Sequence, residues 1–474
     1  MQQTHFFIFD CHYLVRFPHS LLLWRKSFSF FAKFLYMAKF TKTFKDFQLI
    51  PITKIKAQGK QFLLMNPSTL KYESISSINN LIRGLNLLGL ATLVVGGNDT
   101  YQQSFLDFKA KITGDQLRIM QSWNSSIHFC QWVLNLAGNS FNNEIPQEVG
   151  RLRRLEVLEL SNNSINGEIH SNLSSCSKLR VLHIRSKPAN WRNTGFACLT
   201  GSIPPSLGNL SSLETLALGK NGLNGVILIP ESLGQLTNLS FFSIAANAIS
   251  GIVPVSIFNL SKITSFDIGE NKIQGTLPFD LGITMPYIEF FSVRQNQISG
   301  QFPLSISNAS NLVLLQVPLN QLNENLPSFE KLHKLSRFLI GSNHFGNGGP
   351  SDFNFLCSLT NTTKLEYLEL SENNFGGELP KCIGNLTMLA QLALESNNLQ
   401  GNIPSSIGKC KSLVGLDLSY NNLGRSIPTE IIGLSSLSIE VALSSNYLTG
   451  VLPVEVGNLK SLGGLLSLST EIIS

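Results

Sequence analysis

One short pattern recurs from Asn139 to the end of this 474-residue chain: LxxLxLxxNxLxGxIP, or a close variant of it, repeats about every 24 residues. The most regular copies begin at Leu155, Leu213, Leu389 and Leu413. A unit of this size cannot bury its apolar face alone, so each copy must pack on the next and share one continuous core. The pattern therefore predicts an elongated solenoid.

One asparagine marks each copy, and the spacing of these asparagines counts the turns. Most neighbours are 23 to 26 residues apart, with a step of 30 before Asn373 and a gap of 58 before Asn221. The gap conceals one degenerate copy, in which Ala197 occupies the asparagine position. We therefore expect thirteen turns, with marker residues Asn139, Asn163, Asn221, Asn247, Asn271, Asn296, Asn320, Asn343, Asn373, Asn397, Asn421 and Asn446.

The residue types within one copy predict its local structure. The LxL step alternates apolar and variable residues, as in a strand with one buried face, so parallel strands should line an inner wall. The asparagine amide can satisfy buried backbone groups of its own and adjacent turns, which predicts a ladder of amides. Glycine then permits a backbone shape closed to other residues, and Ile-Pro closes the turn. These glycines include Gly167, Gly251, Gly275, Gly300 and Gly450, and Arg425 departs from the rule.

The net charge of +6 is concentrated outside the repeats. Residues 1–64 hold ten Lys and Arg against two Asp and Glu, so the remainder of the chain is slightly acidic. A nucleic-acid-binding solenoid would need a basic stripe with interleaved aromatic residues. We therefore exclude nucleic acid as a partner.

The seven cysteines and eight histidines show no metal-binding spacing. Cys176 and Cys410 each lie three residues before the first leucine of a predicted strand, a position that suits a small buried side chain. We expect no metal and no cofactor.

The residues before the repeats divide into three segments. We expect residues 1–64 to be unstructured or mis-annotated, because they show no helical or strand pattern. Residues 65–97 resemble a secretory signal: Arg83 precedes an apolar run from Leu85 to Val95, and translation from Met65 would place that run near the start. The alternative is a buried helix of an unusual leader. No stretch of 18 apolar, uncharged residues predicts a membrane-spanning helix.

Residues 98–132 have the pattern of a terminal cap. Phe105, Leu106, Phe108 and Ile112 fall on one helical face, as a helix covering the end of the first repeat requires. Residues 133–474 then hold the repeats.

The whole pattern resembles the extracellular part of plant leucine-rich-repeat receptor kinases. The resemblance rests on Phe105 to Lys109, the Ser122-Trp123-Asn124 turn, Cys130 with Trp132, and the LxGxIP repeats. QEVGRLRRLEVLELSNN and FLCSLTNTTKLEYLELSENNFGG resemble the subgroup that contains the bacterial elongation-factor-Tu receptor. The resemblance implies an α/β solenoid: a right-handed superhelix with a parallel concave sheet and short helical or 3-10 convex segments.

Three features depart from the resemblance. The family pairs its cap cysteine with a second one, but Cys130 is followed directly by a repeat, so we expect no capping disulfide. The stretch from Lys187 to Cys198 interrupts a repeat. The sequence ends at Ser474 and contains no Gly-rich loop, HRD or DFG motif, so we expect an ectodomain truncated before the membrane helix and kinase, without enzyme activity.

Ten Asn-x-Ser/Thr sequons are candidate glycosylation sites: Asn98, Asn124, Asn162, Asn172, Asn209, Asn238, Asn259, Asn308, Asn361 and Asn385. Five of them, Asn209, Asn259, Asn308, Asn361 and Asn385, lie four residues before a strand leucine, which puts them on one flank. Glycans there would leave the inner wall free. Alternatively, the repeated GNLSSL consensus supplies this phase for packing reasons.

The candidate ligand contacts are strand residues that alternate with the leucines and point to solvent. Thirteen strands at about 4.8 Å give an inner wall roughly 60 Å long, which suits a polypeptide ligand. Aromatic and Arg side chains carry a large share of binding energy at interfaces. The candidates are Phe241, Asp267, Phe290, Arg294, Arg337, Tyr367 and Glu369.

These observations favour a binding module over an enzyme. The resemblance implies a secreted or plasma-membrane-associated receptor ectodomain that binds a peptide or protein in defence or development and recruits a leucine-rich-repeat co-receptor kinase. The alternatives are a secreted inhibitor of a cell-wall-degrading enzyme, or a non-functional fragment of a receptor serine/threonine kinase gene.

Overall fold

The structure, a computed structural model, describes the backbone of five strands between His5 and Asn66 and then residues 133–186, 198–225 and 229–458. Several expectations fall elsewhere. Ala197, Cys130 and most of the signal-like segment lie outside the described residues, as do the capping helix, the interruption that begins at Lys187, and the sequons at Asn98 and Asn124.

The chain divides into two compact units, residues 1–106 with 115–134 and residues 107–114 with 135–474. In the first unit, five strands form one sheet: His5–Phe9, Tyr13–Phe17, Gln48–Leu49, Ile55–Ala57 and Lys60–Asn66. We expected no regular structure in residues 1–64, and these strands differ from that expectation. Aromatic and β-branched residues, as in HFFIF, favour extended backbone even without strict alternation.

Thirteen parallel strands form the largest sheet, and their order in the sheet follows their order in the chain. Each strand has three residues and buries the middle one, as the LxL alternation predicted. We number the turns of the solenoid as coils 1 to 13 by these strands: Val133–Asn135, Val157–Glu159, Val181–His183, Thr215–Ala217, Phe241–Ser243, Ser265–Asp267, Phe290–Ser292, Leu314–Gln316, Arg337–Leu339, Tyr367–Glu369, Gln391–Ala393, Gly415–Asp417 and Glu440–Ala442. The thirteen expected turns and their parallel concave sheet are confirmed.

A second set of short strands follows the asparagine of each coil and forms three smaller sheets along one flank. The first sheet holds Asn142–Glu144, Ser164–Glu168 and Leu199–Thr200. The second holds Asn224–Gly225, Ala248–Ile252, Lys272–Gly275, Gln297–Gln301, Gln321–Glu324 and His344–Phe345, and the third holds Gly376–Glu378, Asn398–Asn402, Asn422–Arg425 and Tyr447–Leu448.

Short helices form the convex side. The 3-10 helices are Gln147–Arg151, Ser171–Ser175, Pro205–Asn209, Glu231–Gln235, Leu304–Asn308, Leu356–Asn361, Lys381–Asn385, Ser405–Lys409 and Val454–Asn458, and the α-helices are Val255–Phe258, Leu281–Thr284 and Thr429–Ile432. Proline stands before most of them, at a position where a helix needs no backbone donor. Successive helices approach so closely that a Cβ on Gly208 would lie 2.3 Å from the carbonyl oxygen of Ser232.

In most coils the residue four positions after the marker asparagine adopts a left-handed backbone conformation, which explains why glycine is common there. Gly300 has φ +83°, and Arg425 takes φ +62° in coil 12 despite its side chain. Arg425 therefore departs from the sequence rule but keeps the backbone shape that the turn requires.

Coil 9 contains more residues than its neighbours, and a buried carboxylate folds the extra residues into a compact loop. Oδ2 of Asp352, a residue only 4% exposed, accepts hydrogen bonds from the N–H groups of Asn347, Gly348 and Gly349 at 3.0–3.2 Å. It also accepts one from Gly376 N in the next coil at 2.9 Å. One side chain thus fixes the loop and joins it to coil 10.

Candidate ligand-binding surface

The marker asparagines form the hydrogen-bonded ladder that holds the concave sheet in register. Asn320 is representative: its Nδ2 donates to the carbonyl oxygens of Val317 and Pro318 in its own coil and of Val293 in the preceding coil, at 3.0–3.2 Å. Its Oδ1 accepts the N–H of Ile298 at 3.1 Å. Because these groups are buried, an apolar residue would leave several of them without a partner.

The same geometry recurs at the other marker residues. From Asn163 to Asn446, each predicted asparagine donates to carbonyl oxygens of its own coil and accepts an N–H from the preceding coil. Asn139 donates to Leu136 O and Ala137 O, and its Oδ1 has no hydrogen-bond partner among the described residues.

The seven predicted contact residues all lie on or next to the concave strands, and each is exposed or half-buried. Phe290 and Tyr367 are first residues of their strands, as are Phe241 and Arg337. Phe290 pairs in register with Leu314, Leu314 with Arg337, and Arg337 with Tyr367, so these four residues form one continuous row. The structure thus brings three of the predicted residues together and places Phe241 two coils away.

The arginines of this surface differ in what they can offer a ligand. The guanidinium of Arg337 lies over the ring of Tyr367, 4.6 Å from its centroid, which orients both groups toward solvent. Arg294 instead forms an ion pair with Glu270 of the preceding coil. A ligand anion would therefore compete with Glu270 for Arg294. Arg337, in contrast, has no ion pair with an acid in the part of the chain that the structure describes.

Asp267 and Glu369 occupy the last position of their strands. Burial raises the pKa of the Asp267 carboxyl, while the hydrogen bond from Gly269 N, the nearby Ser292 hydroxyl and the charge of Arg294 act in the opposite direction. Glu369 accepts hydrogen bonds from Gly341 N at 3.0 Å and from the hydroxyl of Ser371. A backbone N–H thus holds each acid in place, from its own coil for Asp267 and from the preceding coil for Glu369.

Other residues of the same surface were not among the candidates that the sequence indicated. His183 Nδ1 lies 2.7 Å from Glu159 Oε2, in the last positions of adjacent strands, and this contact helps to lower the pKa of Glu159 against the effect of burial. Leu314 and Leu339 also face outward, and they were overlooked because leucine in a leucine-rich pattern suggests the core. The alternation that identified the seven contacts would have found all four positions.

The described sequons are all exposed. Asn209, Asn308 and Asn385 end their convex 3-10 helices, and Asn259 and Asn361 occupy equivalent positions. Glycans on these five residues would lie on the convex flank, away from the concave sheet. Packing requires Gly208 and the buried Leu210 of the GNL segment, but it does not require the exposed Asn209 between them.

A disulfide that the sequence did not indicate joins Cys357 to Cys382, with Cα atoms 5.5 Å apart. The two cysteines lie on the convex helices of coils 9 and 10, so the bond links the elongated coil to its neighbour. Disulfides persist in oxidising compartments, and this one is consistent with an extracellular location. Cys176 and Cys410 are buried, as expected, and burial raises the pKa of their thiols to about 12 and about 11.

A Cys357→Ser/Cys382→Ser variant should lose about 3–4 kcal/mol of unfolding free energy, because the bond closes a loop of 25 residues in the unfolded chain. Urea denaturation of the purified protein measures this. The matched control is Cys198→Ser, which removes a half-buried free thiol and should change the midpoint little. A double variant as stable as the parent would show that coils 9 and 10 do not need the bond.

Other kinds of site receive no support from the described residues. No helix there is both long enough and apolar enough to pass through a bilayer. Nor do three His, Cys, Asp or Glu side chains come together there in a way that would hold a metal ion.

Two family models match the repeats. A leucine-rich repeat region matches residues 132–348, and the leucine-rich repeat matches residues 364–386 and 412–434. Together these matches cover more than half of the chain. The chain therefore belongs to the leucine-rich-repeat proteins.

Relatives narrow this class to the plant receptors. The LRR receptor-like serine/threonine-protein kinase EFR of Arabidopsis thaliana is 34% identical over a stretch that covers 12% of this chain and 9% of EFR. The receptor kinase-like protein Xa21 of Oryza sativa subsp. japonica is 40% identical over 12% of this chain and 6% of Xa21. The repeats are thus of the kind found in the extracellular part of a plant leucine-rich-repeat receptor kinase, although the matches span less than a tenth of these relatives.

Solved structures agree with this assignment. The ectodomain of the Arabidopsis thaliana receptor kinase GASSHO1/SCHENGEN3, in complex with CASPARIAN STRIP INTEGRITY FACTOR 2, is 30% identical with a TM-score of 0.59, over 70% of this chain and 40% of that one. The Arabidopsis receptor kinase HAESA, in complex with the peptide hormone IDA and the co-receptor SERK1, is 26% identical with a TM-score of 0.51, over 71% of this chain and 65% of that one. The fold is a ligand-binding, receptor-like solenoid.

Proposed function

We propose that this chain is the ligand-recognition part of a plant cell-surface receptor, and that it binds a peptide or protein in defence or developmental signalling. The observation that carries the proposal is the row Phe290, Leu314, Arg337 and Tyr367, which runs unbroken across coils 7 to 10. Solvent-facing aromatic, aliphatic and Arg side chains in one row have no role in the core behind them, and such residues contribute strongly to binding.

The proposed partners are an extended peptide on the concave sheet and a leucine-rich-repeat co-receptor. The HAESA complex contains a peptide hormone and the co-receptor SERK1, which supports the same division of roles here. The proposed location is the extracellular side of the plasma membrane or the secreted fraction, which the Cys357–Cys382 disulfide supports. In this proposal the chain recognises its ligand and performs no chemistry on it.

The test uses the purified full chain and a synthetic collection of plant secreted peptides. For any peptide that binds, calorimetry should show that Phe290→Ala and Tyr367→Ala each weaken binding by about tenfold or more. The matched control is Tyr287→Ala, which removes an aromatic side chain that is 59% exposed and outside the concave strands. Peptides whose affinity is unchanged by both concave substitutions would contradict the proposed site.

A further inference from the structure

The concave surface of coil 8 carries no charge and presents four apolar side chains to solvent. Its sequence from Val313 to Leu319 is VLLQVPL, in which Leu315 and Val317 belong to the core. Val313 is 40% exposed and Leu319 is 49% exposed, while Leu314 and Pro318 are half-buried. No other coil has so many large apolar side chains at these positions.

The apolar surface extends into the two neighbouring coils. Phe290 of coil 7 pairs with Leu314, and Leu339 of coil 9 pairs with Gln316. We call Phe290, Val313, Leu314, Leu319 and Leu339 the apolar patch. Burying one such side chain completely gains about 1.5–3 kcal/mol, so a ligand that covers the patch would gain substantial binding free energy.

On one side of the patch the concave surface becomes acidic. In coils 10 to 13, the strand residues and those beside them, at 366–372, 390–396, 414–420 and 439–445, include no Lys or Arg. They do include six acids, which are Glu366, Glu369, Glu372, Glu395, Asp417 and Glu440.

Three acids elsewhere on the concave surface have basic partners. Glu214 pairs with Arg180, Glu159 with His183 and Glu270 with Arg294. Within residues 229–458, none of the six acids of coils 10 to 13 lies in an ion pair. Serine hydroxyls hold some of them in place instead: Ser342 Oγ donates to Glu372 at 2.6 Å, and Ser419 Oγ donates to Asp417 at 2.6 Å.

This clustering of acids destabilises the charged form of Glu395. Burial raises the pKa of its carboxyl, and the charges of Asp417 and Glu369 raise it further. Its Oε2 is buried and accepts no hydrogen bond from the described residues. A cation placed beside Glu395 would reduce its electrostatic repulsion from Asp417 and Glu369. Without a bound ligand this repulsion remains.

We propose that the ligand is a basic, amphipathic peptide in extended conformation, which seats apolar side chains on the patch and places Lys or Arg over the acids of coils 10 to 13. This inference rests on the function proposed above. Charge complementarity selects the occupant, because an acidic or neutral peptide would leave the six acids uncompensated beside it.

The geometry also sets the spacing within the peptide. From coil 8, the middle coil of the patch, to coil 11, which carries Glu395, there are three strand spacings, or about 14 Å, and an extended chain advances about 3.3 Å per residue. A peptide that runs across the strands therefore needs about four residues between its apolar and basic anchors. Arg337, stacked on Tyr367 at the boundary, separates the two parts of the surface.

The experiment is a selection of random linear 16-residue peptides, displayed on phage, against the immobilised full chain. We expect the recovered peptides to be enriched in pairs of an apolar and a basic residue about four positions apart. Synthetic versions should bind a Glu369→Gln/Glu395→Gln/Asp417→Asn variant at least about tenfold more weakly. Their affinity for the parent should also fall as salt rises.

Two matched variants separate the possible results. A Glu231→Gln/Glu330→Gln/Glu430→Gln variant removes the same charge from exposed positions outside the concave sheet and should bind normally. A Leu314→Asn/Leu319→Ser variant should weaken binding without a change in its salt dependence.

Recovered peptides that are acidic or uncharged, or that bind the acid-to-amide concave variant equally well, would overturn this inference and leave the proposed function standing. If no recovered peptide depends on any concave residue, the proposed function falls and this inference falls with it.

Discussion

An Asn421→Ala variant is expected to lose about 3–4 kcal/mol of the free energy of unfolding. The Asn421 side chain is 6% exposed, and its Nδ2 donates to Leu394 O, Leu418 O and Ser419 O at 2.9–3.2 Å. Its Oδ1 accepts Leu399 N at 3.0 Å. Alanine removes all four bonds and admits no water to replace them, because the site is closed between coils 11 and 12.

The neighbouring residue provides the matched control. Asn422 has the same side chain and begins the next strand, but it is exposed, so Asn422→Ala should change stability by less than about 0.5 kcal/mol. Urea denaturation measures both variants, and hydrogen exchange of the Leu399 amide reports the lost acceptor directly. Equal midpoints for the two variants would mean that the ladder does not stabilise the solenoid.

The fold could be predicted from the sequence because each coil meets nearly the same environment. Leu158 and Leu392, in distant coils, occupy equivalent buried positions, so one local pattern specifies every layer. The role of the marker asparagines could be predicted for the same reason, because their hydrogen-bond partners are backbone groups that the repeat places identically in each coil. Such features need no knowledge of long-range side-chain contacts.

The features that the sequence did not indicate depend on departures from the repeat. The Cys357–Cys382 bond was missed because coil 9 contains extra residues, so the repeat pattern does not show which residue of the next coil lies beside Cys357. For the surface, alternation predicted which residues face solvent, but it could not show that Arg294 is paired with Glu270 while Arg337 is not. Whether an arginine forms an ion pair depends on which acid its side chain can contact in the adjacent coil, and the sequence of a single repeat does not show this.

A Phe266→Ala variant is expected to lose about 3–5 kcal/mol of the free energy of unfolding, the largest effect of any substitution argued here. Phe266 is fully buried at the middle of the coil 6 strand. Its ring lies between those of Phe242 and Phe291, with both pairs of centroids 5.5 Å apart, and Phe258 packs against it from the convex side at the same distance. Removing the ring opens a cavity between three coils whose backbone spacing is fixed by the sheet and the ladder.

The control is Phe279→Ala, because Phe279 belongs to the same coil but is 84% exposed, and its removal should be nearly neutral. Thermal and urea unfolding of both variants measure the difference. A loss below about 1 kcal/mol for Phe266→Ala would show that neighbouring coils can close the gap, and hence that their spacing is not rigid. That result would also weaken the four-residue spacing inferred for the ligand, since the inference depends on strands held at a constant separation along the concave sheet.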